Sequence, residues 1–331
     1  AIPLTPVERA AFAGNAIALG PGTVWMSATA VHALSSSTRA ALASADRAAL
    51  TPWTDATTTR ALIEKAPAAG TVVSRRTIPE LGVTVATLSN GVEVWLKPTD
   101  FKNDQVLFTM YAQGGASLAS RDEYLQASFA TNYTGLSGLG GIKAVDLGKM
   151  LTGKRASASP FIASATHGVS GSAAPADLET ALQLLYLTVT APGDDPDAFA
   201  LMRKQLDAAV ANRGRSPGQA FGEKVEALNT SNHYTSEPLT AEAIATLDRA
   251  KMLAFYKARF ANAADFTFFM VGAFSMDEVL PQLAKYVGSL PSTGRRTSVF
   301  KDLGVRCPAG TQTAEVRKGR EPKAQTLLSF F

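Results

Sequence analysis

The stretch Val83-Thr-Val-Ala-Thr-Leu-Ser-Asn-Gly-Val-Glu-Val-Trp-Leu-Lys97 decides the fold class. Two runs rich in β-branched residues, 83–89 and 92–97, flank the pair Asn90-Gly91. Asn-Gly is the strongest short-range signal for a hairpin, because both central residues of a type I′ turn need a positive φ. The stretch therefore predicts an antiparallel hairpin with a type I′ turn.

Strands and helices follow this hairpin in blocks rather than in regular β-α-β units. Apolar residues recur at helical spacing in the helical blocks, as in Leu178, Leu182 and Leu185. This order predicts an α+β domain with a mostly antiparallel sheet and helices packed on one face. The predicted strands are 105–113, 156–163, 165–172 and 267–272, and the predicted helices are 122–133, 145–151, 175–187, 197–211, 217–228, 240–247, 249–260 and 277–287.

The two ends of the chain differ from this middle part. The first 70 residues are rich in Ala, Ser and Thr, and they predict helices at 10–19 and 36–50 separated by Pro21-Gly22. At the other end, 311–317 and 325–331 are predicted to be strands. Because the second of these stops with nothing after it, we expect the sequence to be a piece of a longer chain.

Composition excludes several classes of protein. Of 331 residues, 46% are hydrophobic and 18% are charged, a globular balance with no uninterrupted run long enough for a membrane-spanning helix. The single cysteine, Cys307, excludes an intramolecular disulfide and a zinc cage built from cysteines. Residues 295–323 hold eight basic against three acidic residues, a net charge of +5. With Phe300 alone among them as an aromatic residue, they indicate a solvated connector and no nucleic-acid site.

The motifs of common hydrolases are missing. No HxxEH or HExxH sequence, which would set two imidazoles one helical turn apart, is present, and His32, His167 and His233 lie far apart. His167 falls on a predicted strand, which favours a structural role. A near match to a phosphate-binding loop at 148–155 ends in Arg155, where a Mg²⁺-binding hydroxyl is required.

The glycine-rich loop 135–141 leaves two functional interpretations open. Its backbone N–H groups suit an anion cradle, although a flexible connection after a helix is favoured. An independent enzyme using Asp122, Glu123 or Asp146 near this loop is a further alternative, but acidic residues in a first helical turn usually serve the helix dipole.

Two segments resemble the pitrilysin/insulinase family of zinc peptidases. Residues 88–101 are similar to the opening hairpin of a domain in that family, and Gly114-Gly115-Ala-Ser117 follows as it does there. Residues 260–272 carry the pattern F-x-N-x-x-D-F-T-F-x-x-V-G, which is similar to the family's late strand. Residues 318–323 resemble the start of the following domain, so the likeness spans about residues 75–331.

The resemblance implies a metallopeptidase/LuxS-like α+β domain from the family's non-catalytic C-terminal half. The family's active half carries an inverted HxxEH on the helix after the third strand, and here Ser128, Thr131 and Asn132 stand at those three positions. None of them can replace an imidazole ligand or a carboxylate base. The later helix offers one carboxylate, Asp207. The resemblance therefore implies no catalytic residue, no metal and no cofactor in this chain, with zinc expected only in the catalytic half.

The domain boundaries follow from the same resemblance. Residues 1–75 are expected to be a helical linker and the end of the preceding half. Residues 76–291 are expected to form the inactive α+β domain. Residues 292–331 are expected to be a connector and the start of a truncated further domain.

The function that this implies is a non-catalytic substrate-chamber half of a zinc peptidase. Its partners would be a catalytic half or another HxxEH-bearing chain and a peptide substrate, with no nucleic acid and no membrane span. The resemblance also weakly favours the periplasm. A docking or scaffold subunit with the same fold and no protease role is the alternative.

Overall fold

The computed structural model describes residues 16–18, 24–26, 44, 60–213, 215–321 and 323–331. The chain divides into two compact units, residues 1–56 and 57–331. Nearly all of the described residues belong to the second unit.

The first unit contains a two-stranded antiparallel sheet. Strands β1 (Ala16–Ala18) and β2 (Val24–Met26) pair with Ile17 opposite Trp25. The helix predicted at 10–19 is therefore wrong at residues 16–18, because cross-strand pairing on either side of a Pro-Gly pair outweighs the helix propensity of alanine. The helix predicted at 36–50 lies outside the described residues apart from Ser44, which is helical.

A seven-stranded sheet forms the frame of the second unit, in the order β3-β4-β5-β9-β6-β8-β7. Its neighbouring strands are antiparallel except β5 and β9, which are parallel. This confirms the prediction of a mostly antiparallel sheet. The strands are β3 (Val72–Ile78), β4 (Val83–Leu88), β5 (Glu93–Pro98), β6 (Val106–Gln113), β7 (Ala156–Ile162), β8 (Thr166–Ala173) and β9 (Thr267–Gly272).

Four of the eight α-helices described in this unit begin at a side chain that accepts a hydrogen bond from a free N–H group. Asp195, Ser216, Thr240 and Asp248 each accept a hydrogen bond from a backbone N–H of the first turn that follows. The helices are α1 (Tyr124–Ser137), α2 (Ala144–Met150), α3 (Leu178–Thr190), α4 (Pro196–Asn212), α5 (Pro217–Asn229), α6 (Ala241–Ala245), α7 (Arg249–Phe260) and α8 (Met276–Tyr286).

The hairpin that decides the fold forms between β4 and β5, but with a different turn from the one predicted. Gly91 has a φ of 90°, whereas Asn90 has no positive φ, which excludes a type I′ turn. The Gly91 N–H donates to the Leu88 carbonyl at 2.9 Å, as in a type I turn followed by a left-handed glycine. Asn90 instead donates its side-chain amide to the carbonyls of Val287 and Leu290, and so holds the end of α8.

One face of the sheet is covered by helices and holds the core. Phe268 and Met270 of β9 point to this face and are 0% and 2% exposed. Leu182 and Leu185 of α3 belong to the same buried cluster. No helix of the described residues covers the opposite face, which we call the open face, and Val271 there is 39% exposed. This confirms that the helices pack on one face.

The chain beyond α8 is held against the domain by two polar side chains. Asn262 donates to the Arg295 carbonyl at 2.9 Å and accepts from the Thr293 N–H at 2.9 Å. Asp265 accepts from the Ser298 N–H at 2.8 Å. The connector therefore follows a defined path from Pro291 to Ser298.

The strands predicted at 311–317 and 325–331 do not form. Among the described residues after α8, none is in a helix or a strand. This last segment lies along α5, where Asn229 donates to the Ser329 hydroxyl at 3.1 Å. Leu328 and Phe330 stay largely exposed. The prediction fails because two strands without further strands or a covering helix cannot bury an apolar face.

The boundary predicted near residue 75 falls inside β3, which begins at Val72. In the described part of the chain, no helix combines the length and the hydropathy needed to cross a bilayer.

Candidate functional site

Helix α1 carries the three positions that the resemblance assigns to the catalytic motif. The helix packs against α4 and α7. Its first turn is fixed by the buried Gln126, whose amide donates to the Thr246 carbonyl at 2.8 Å and accepts from the Asp248 N–H at 2.9 Å. Both bonds reach the chain just before α7. These two hydrogen bonds fix the position of α1 relative to the start of α7.

Ser128 and Asn132 are both exposed and lie one helical turn apart on α1, which is the spacing that two histidine ligands would need. The Ser128 hydroxyl donates to the Tyr124 carbonyl of its own helix at 2.8 Å. Thr131 is half-buried beside them. This face thus presents hydroxyl and amide groups, which neither bind zinc strongly nor act as a base on a metal-bound water.

A polar network that sequence reasoning missed fixes the far end of α1. The buried Tyr133 donates its hydroxyl to Asp194 Oδ1 at 2.5 Å, and Arg249 Nη1 lies 2.6 Å from the same oxygen. Burial, and then the Asp194 carboxylate, raise the pKa of the Tyr133 hydroxyl. The tyrosine therefore stays protonated and acts as a donor. Only the fold brings these residues together, since Tyr133 lies on α1, Asp194 in the loop before α4 and Arg249 at the start of α7.

The acidic residues considered for an independent enzyme do not form a site. Glu123 accepts from the Ser120 hydroxyl at 3.2 Å at the start of α1. Asp122 and Asp146 are exposed and lie on different elements. Within the described ranges, no three His, Cys, Asp or Glu side chains come close enough to hold a metal ion. Asp122 and Glu123 lie in the short turn before α1, and Asp146 lies in the first turn of α2.

The glycine-rich loop is a connection rather than an anion cradle. The Leu139 N–H donates to the Ile142 carbonyl and the Gly140 N–H donates to the Ala191 carbonyl, at 3.0 and 2.9 Å. These donors are therefore used within the fold. The loop joins α1 to α2 and contacts the end of α3.

His167 is a buried structural histidine on β8. Its Nδ1 accepts from the Gly115 N–H at 3.2 Å, and its Nε2 lies 2.8 Å from the Arg259 carbonyl. Burial lowers the pKa of His167 to about 4, so the ring is neutral, with its proton on Nε2. Gly115 has a φ of 55°, and a Cβ there would lie 2.2 Å from the Ala163 carbonyl oxygen, so only glycine fits.

The segments that carry the family resemblance therefore have defined structural roles. Asn90 holds the end of α8, Asn262 and Asp265 hold the connector, and Gly115 supports His167. A sequence profile described as that of the peptidase M16 inactive domain matches residues 246–331. Residues 246–331 are therefore similar to the inactive domain of M16 peptidases. This confirms the resemblance to the pitrilysin/insulinase-type zinc peptidases.

Longer proteins share this M16 sequence and fold. The chain is similar to an Arabidopsis thaliana protein named zinc protease PQQL-like, with 30% identity over 243 residues, 73% of this chain and 23% of the relative. It is similar in fold to the periplasmic protease PqqL from Escherichia coli, with a TM-score of 0.64, 20% identity and coverage of 83% of this chain and 30% of PqqL. The first half of PqqL matches with a TM-score of 0.56, 13% identity and coverage of 71% of this chain and 51% of that half.

The M16 chain thus spans about a quarter of the length of the Arabidopsis relative. Its fold matches 30% of PqqL and 51% of the first half of that protein. The assignment of Ser128, Thr131 and Asn132 to the motif positions stays a prediction, which the exposure of Ser128 and Asn132 on one face of α1 supports.

Proposed function

We propose that this M16 chain is the substrate-chamber half of a zinc peptidase, which closes over an HxxEH-bearing half and holds an extended peptide. The match to an inactive domain and the similarity to a protein named as a zinc protease support this function. The likeness in fold to the first half of PqqL also fits a protein built from two similar halves. Zinc would then be bound by the catalytic half alone.

The observation that carries the proposal is the face of α1. The helix is packed and anchored through Gln126 and Tyr133, so the scaffold of a catalytic helix is intact. At the motif positions that the resemblance assigns, Ser128 and Asn132 carry a hydroxyl and an amide in place of two imidazoles. We expect this combination, a well-packed helix without zinc ligands, in a half that binds substrate. Such a half leaves the chemistry to its partner.

The domain division and the compartment belong to the same proposal. Residues 1–75, whose last four belong to strand β3 of the sheet, would link the two halves, 76–291 would be the inactive domain, and 292–331 would lead into a further domain. The likeness in fold to PqqL, which is described as periplasmic, supports the periplasm as the compartment.

Restoring the histidines tests the assignment of the motif positions. The double substitution Ser128→His and Asn132→His places two imidazoles one turn apart on an exposed helix face, where they bind zinc together. We expect zinc affinity, measured by calorimetry, to rise at least about tenfold over the unsubstituted chain, because a second ligand is added without new loop ordering. The single substitution Ser128→His is the control. A folded double variant that binds no better than this control would show that the positions are misassigned.

Reconstitution tests the function itself. The full-length protein and its HxxEH-bearing half alone are assayed on an unstructured peptide with added Zn²⁺, and this chain is then added in trans. We expect no turnover by this chain alone and a gain in kcat/KM when it joins the catalytic half. Turnover by this chain alone would contradict the proposal. Binding to the catalytic half without any gain would instead indicate the docking role.

A further inference from the structure

The turn between β4 and β5 holds the only Asn-Gly pair in the 331 residues, Asn90-Gly91. In such a pair the backbone nitrogen of the glycine can attack the side-chain carbonyl carbon of the asparagine, because a glycine has no Cβ that obstructs the approach. Each of the other asparagines is followed by a residue that carries a Cβ. Asn90 is therefore the asparagine in this sequence that loses its side-chain amide most readily when the chain is free to move.

The fold engages the side chain of Asn90 at both of its polar atoms. Nδ2 donates to the carbonyls of Val287 and Leu290 at 2.8 and 3.2 Å, just beyond α8. Oδ1 accepts from the Val92 N–H at 3.3 Å. To react, the side-chain carbonyl carbon has to swing toward the nitrogen of Gly91. These three hydrogen bonds must therefore open before the reaction can begin.

The attacking nitrogen is engaged as well. The Gly91 N–H donates to the Leu88 carbonyl at 2.9 Å. A backbone nitrogen attacks after it has lost its proton, so a hydrogen bond that slows the exchange of an amide proton slows this attack for the same reason. Water is close by, since Asn90 and Gly91 are only half-buried and Ser89 is exposed. Opening of the turn, without unfolding of the domain, is thus enough to release both reacting groups.

A serine beyond α8 closes the turn from the other side. The Ser292 hydroxyl donates to the Asn90 main-chain carbonyl at 2.6 Å. The same oxygen accepts from the N–H groups of Ala264 and Gly294 at 3.2 and 3.0 Å. Ser292 thus holds the main chain of Asn90, whereas the reaction takes place at its side chain. A substitution of Ser292 loosens the turn and leaves both reacting groups unchanged.

We propose that Asn90 is a deamidation site that the native turn keeps unreactive, and that its modification irreversibly weakens the attachment of α8 to the β4–β5 hairpin. The Gly91 nitrogen gives up its proton and forms a bond to Cγ of Asn90. The Cγ–Nδ2 bond breaks, and Nδ2 leaves as ammonia after taking up one proton. Water then opens the resulting cyclic imide at one of its two carbonyls, which leaves an aspartate or an isoaspartate at position 90. The reaction needs only water and no oxidant or reductant.

Either product breaks the contact with the end of α8. A carboxylate has no N–H to donate, so an oxygen would face the carbonyl oxygens of Val287 and Leu290 in place of Nδ2. Isoaspartate also adds a methylene to the main chain, beside strands whose register pairs Thr87 with Glu93. The hydrogen bonds do not return, because the ammonia has left. This inference does not depend on the proposed peptidase function, since it concerns the chemistry of the chain itself.

The rate of deamidation in the folded and the unfolded protein tests the first part of the inference. The full-length protein is incubated at mildly alkaline pH in buffer and, in parallel, in guanidinium chloride. Mass spectrometry of the peptide that contains position 90 follows the replacement of amide by acid. We expect the rate in buffer to be at least about tenfold lower, because reaction requires an open turn. Equal rates would overturn the inference.

Two serine variants show whether opening of the turn controls the reaction. Ser292→Ala should raise the rate in buffer at least about threefold through the loss of its hydrogen bonds, and should leave the rate in guanidinium chloride unchanged. Ser170→Ala, which removes a hydroxyl on the open face, is the control and should change neither rate. No increase for Ser292→Ala would overturn the inference. So would an increase matched by faster amide hydrogen exchange at Met252 in α7, because unfolding of the whole domain would then account for it.

The variant Asn90→Asp reproduces one of the products and tests the consequence. We expect amide hydrogen exchange at Gly288 and Leu290 to become at least about tenfold faster, while exchange at Met252 stays unchanged. Should the variant fail to fold, protein deamidated in guanidinium chloride is refolded and separated by its added negative charge, and the exchange of its folded fraction is measured instead. Unchanged exchange at Gly288 and Leu290 in either protein would show that the modification leaves the end of α8 attached, which would overturn this part.

Discussion

Two adjacent phenylalanines in β9 show how differently the two faces of the sheet are used. Phe268 points toward the helices, is 0% exposed and stacks on Phe108 with ring centroids 5.8 Å apart. Phe269 points the other way, is only half-buried and contacts Trp95 and Tyr111. The side chains are identical and so is the strand. Their surroundings differ because helices cover one face of the sheet, and the covered face should therefore supply most of the stability of the domain.

The largest expected effect comes from truncating each phenylalanine in turn. Phe268→Ala should lower the free energy of unfolding by about 3–5 kcal/mol, because it leaves a cavity in a packed core. Phe269→Ala should cost less than about 1 kcal/mol, since its ring is partly hydrated already. Urea unfolding of this chain gives both values. Equal losses would mean that the open face is as tightly packed as the core.

Protonation of His167 tests the covered face without removing any atoms. The pKa of His167 is lowered from its usual 6.5 to about 4 by burial, so the unfolded chain binds more protons between these values. The contribution of neutral His167 to the free energy of unfolding is complete above about pH 6.5. It is lost as the pH falls toward 4. The loss should reach about 3 kcal/mol, the equivalent of the pKa difference.

The variant His167→Gln separates this effect from the other titrating groups. Its free energy of unfolding should be lower at pH 7 but should fall less steeply between pH 6.5 and 4. Urea unfolding at several pH values measures the difference between the two proteins. Parallel pH profiles would show that His167 does not titrate as the buried geometry requires.

Asn262 extends the comparison from apolar to polar contacts. Asn262 is 8% exposed and bonds to the connector through both ends of its amide. Asn262→Ala should cost about 1–3 kcal/mol, because the hydrogen bonds that this buried amide makes to the connector are lost. Amide hydrogen exchange should also become faster at Thr293. Thr293→Val removes only one hydroxyl donor to Asn262 and should have a smaller effect on stability.

The smallest effect is expected for a hydrogen bond on the open face. Ser170→Ala removes the hydroxyl that pairs with Thr109, and water can replace it because both groups are exposed. The free energy of unfolding should change by less than about 0.5 kcal/mol, measured by thermal or urea unfolding. A loss above about 1 kcal/mol would show that this face is stabilised by its hydroxyl pairs.

The predicted helices and strands agree best with the structure where a segment has one strong local signal. Helix α7 and strand β9 have the bounds predicted from the sequence, 249–260 and 267–272. The hairpin was correctly placed, but its turn type was wrong, because the Asn90 side chain is recruited by carbonyls at the end of α8, about two hundred residues later in the chain. The strands predicted at 311–331 were wrong because strand propensity has no effect without a neighbouring strand.

Prediction of the candidate site shows the same limit. The spacing of Ser128 and Asn132 is a local helical property, so the sequence could predict that they share a face. The network of Tyr133, Asp194 and Arg249 could not be predicted, because its members are separated by long stretches of chain and meet only when α1 and α7 pack.

By itself, the amino-acid sequence determined the class of the domain, most of its helices and strands, and the absence of an HxxEH motif, since these follow from local propensity, periodicity and residue identity. The tertiary structure decided that β9 enters between β5 and β6, parallel to the first and antiparallel to the second. It also decided which of the two faces is covered. The run Thr267-Phe-Phe-Met-Val-Gly272 is apolar on both sides, so its periodicity does not distinguish them. Only the packing of helices brought from distant parts of the chain buries Phe268 and leaves Phe269 half-buried on the other face.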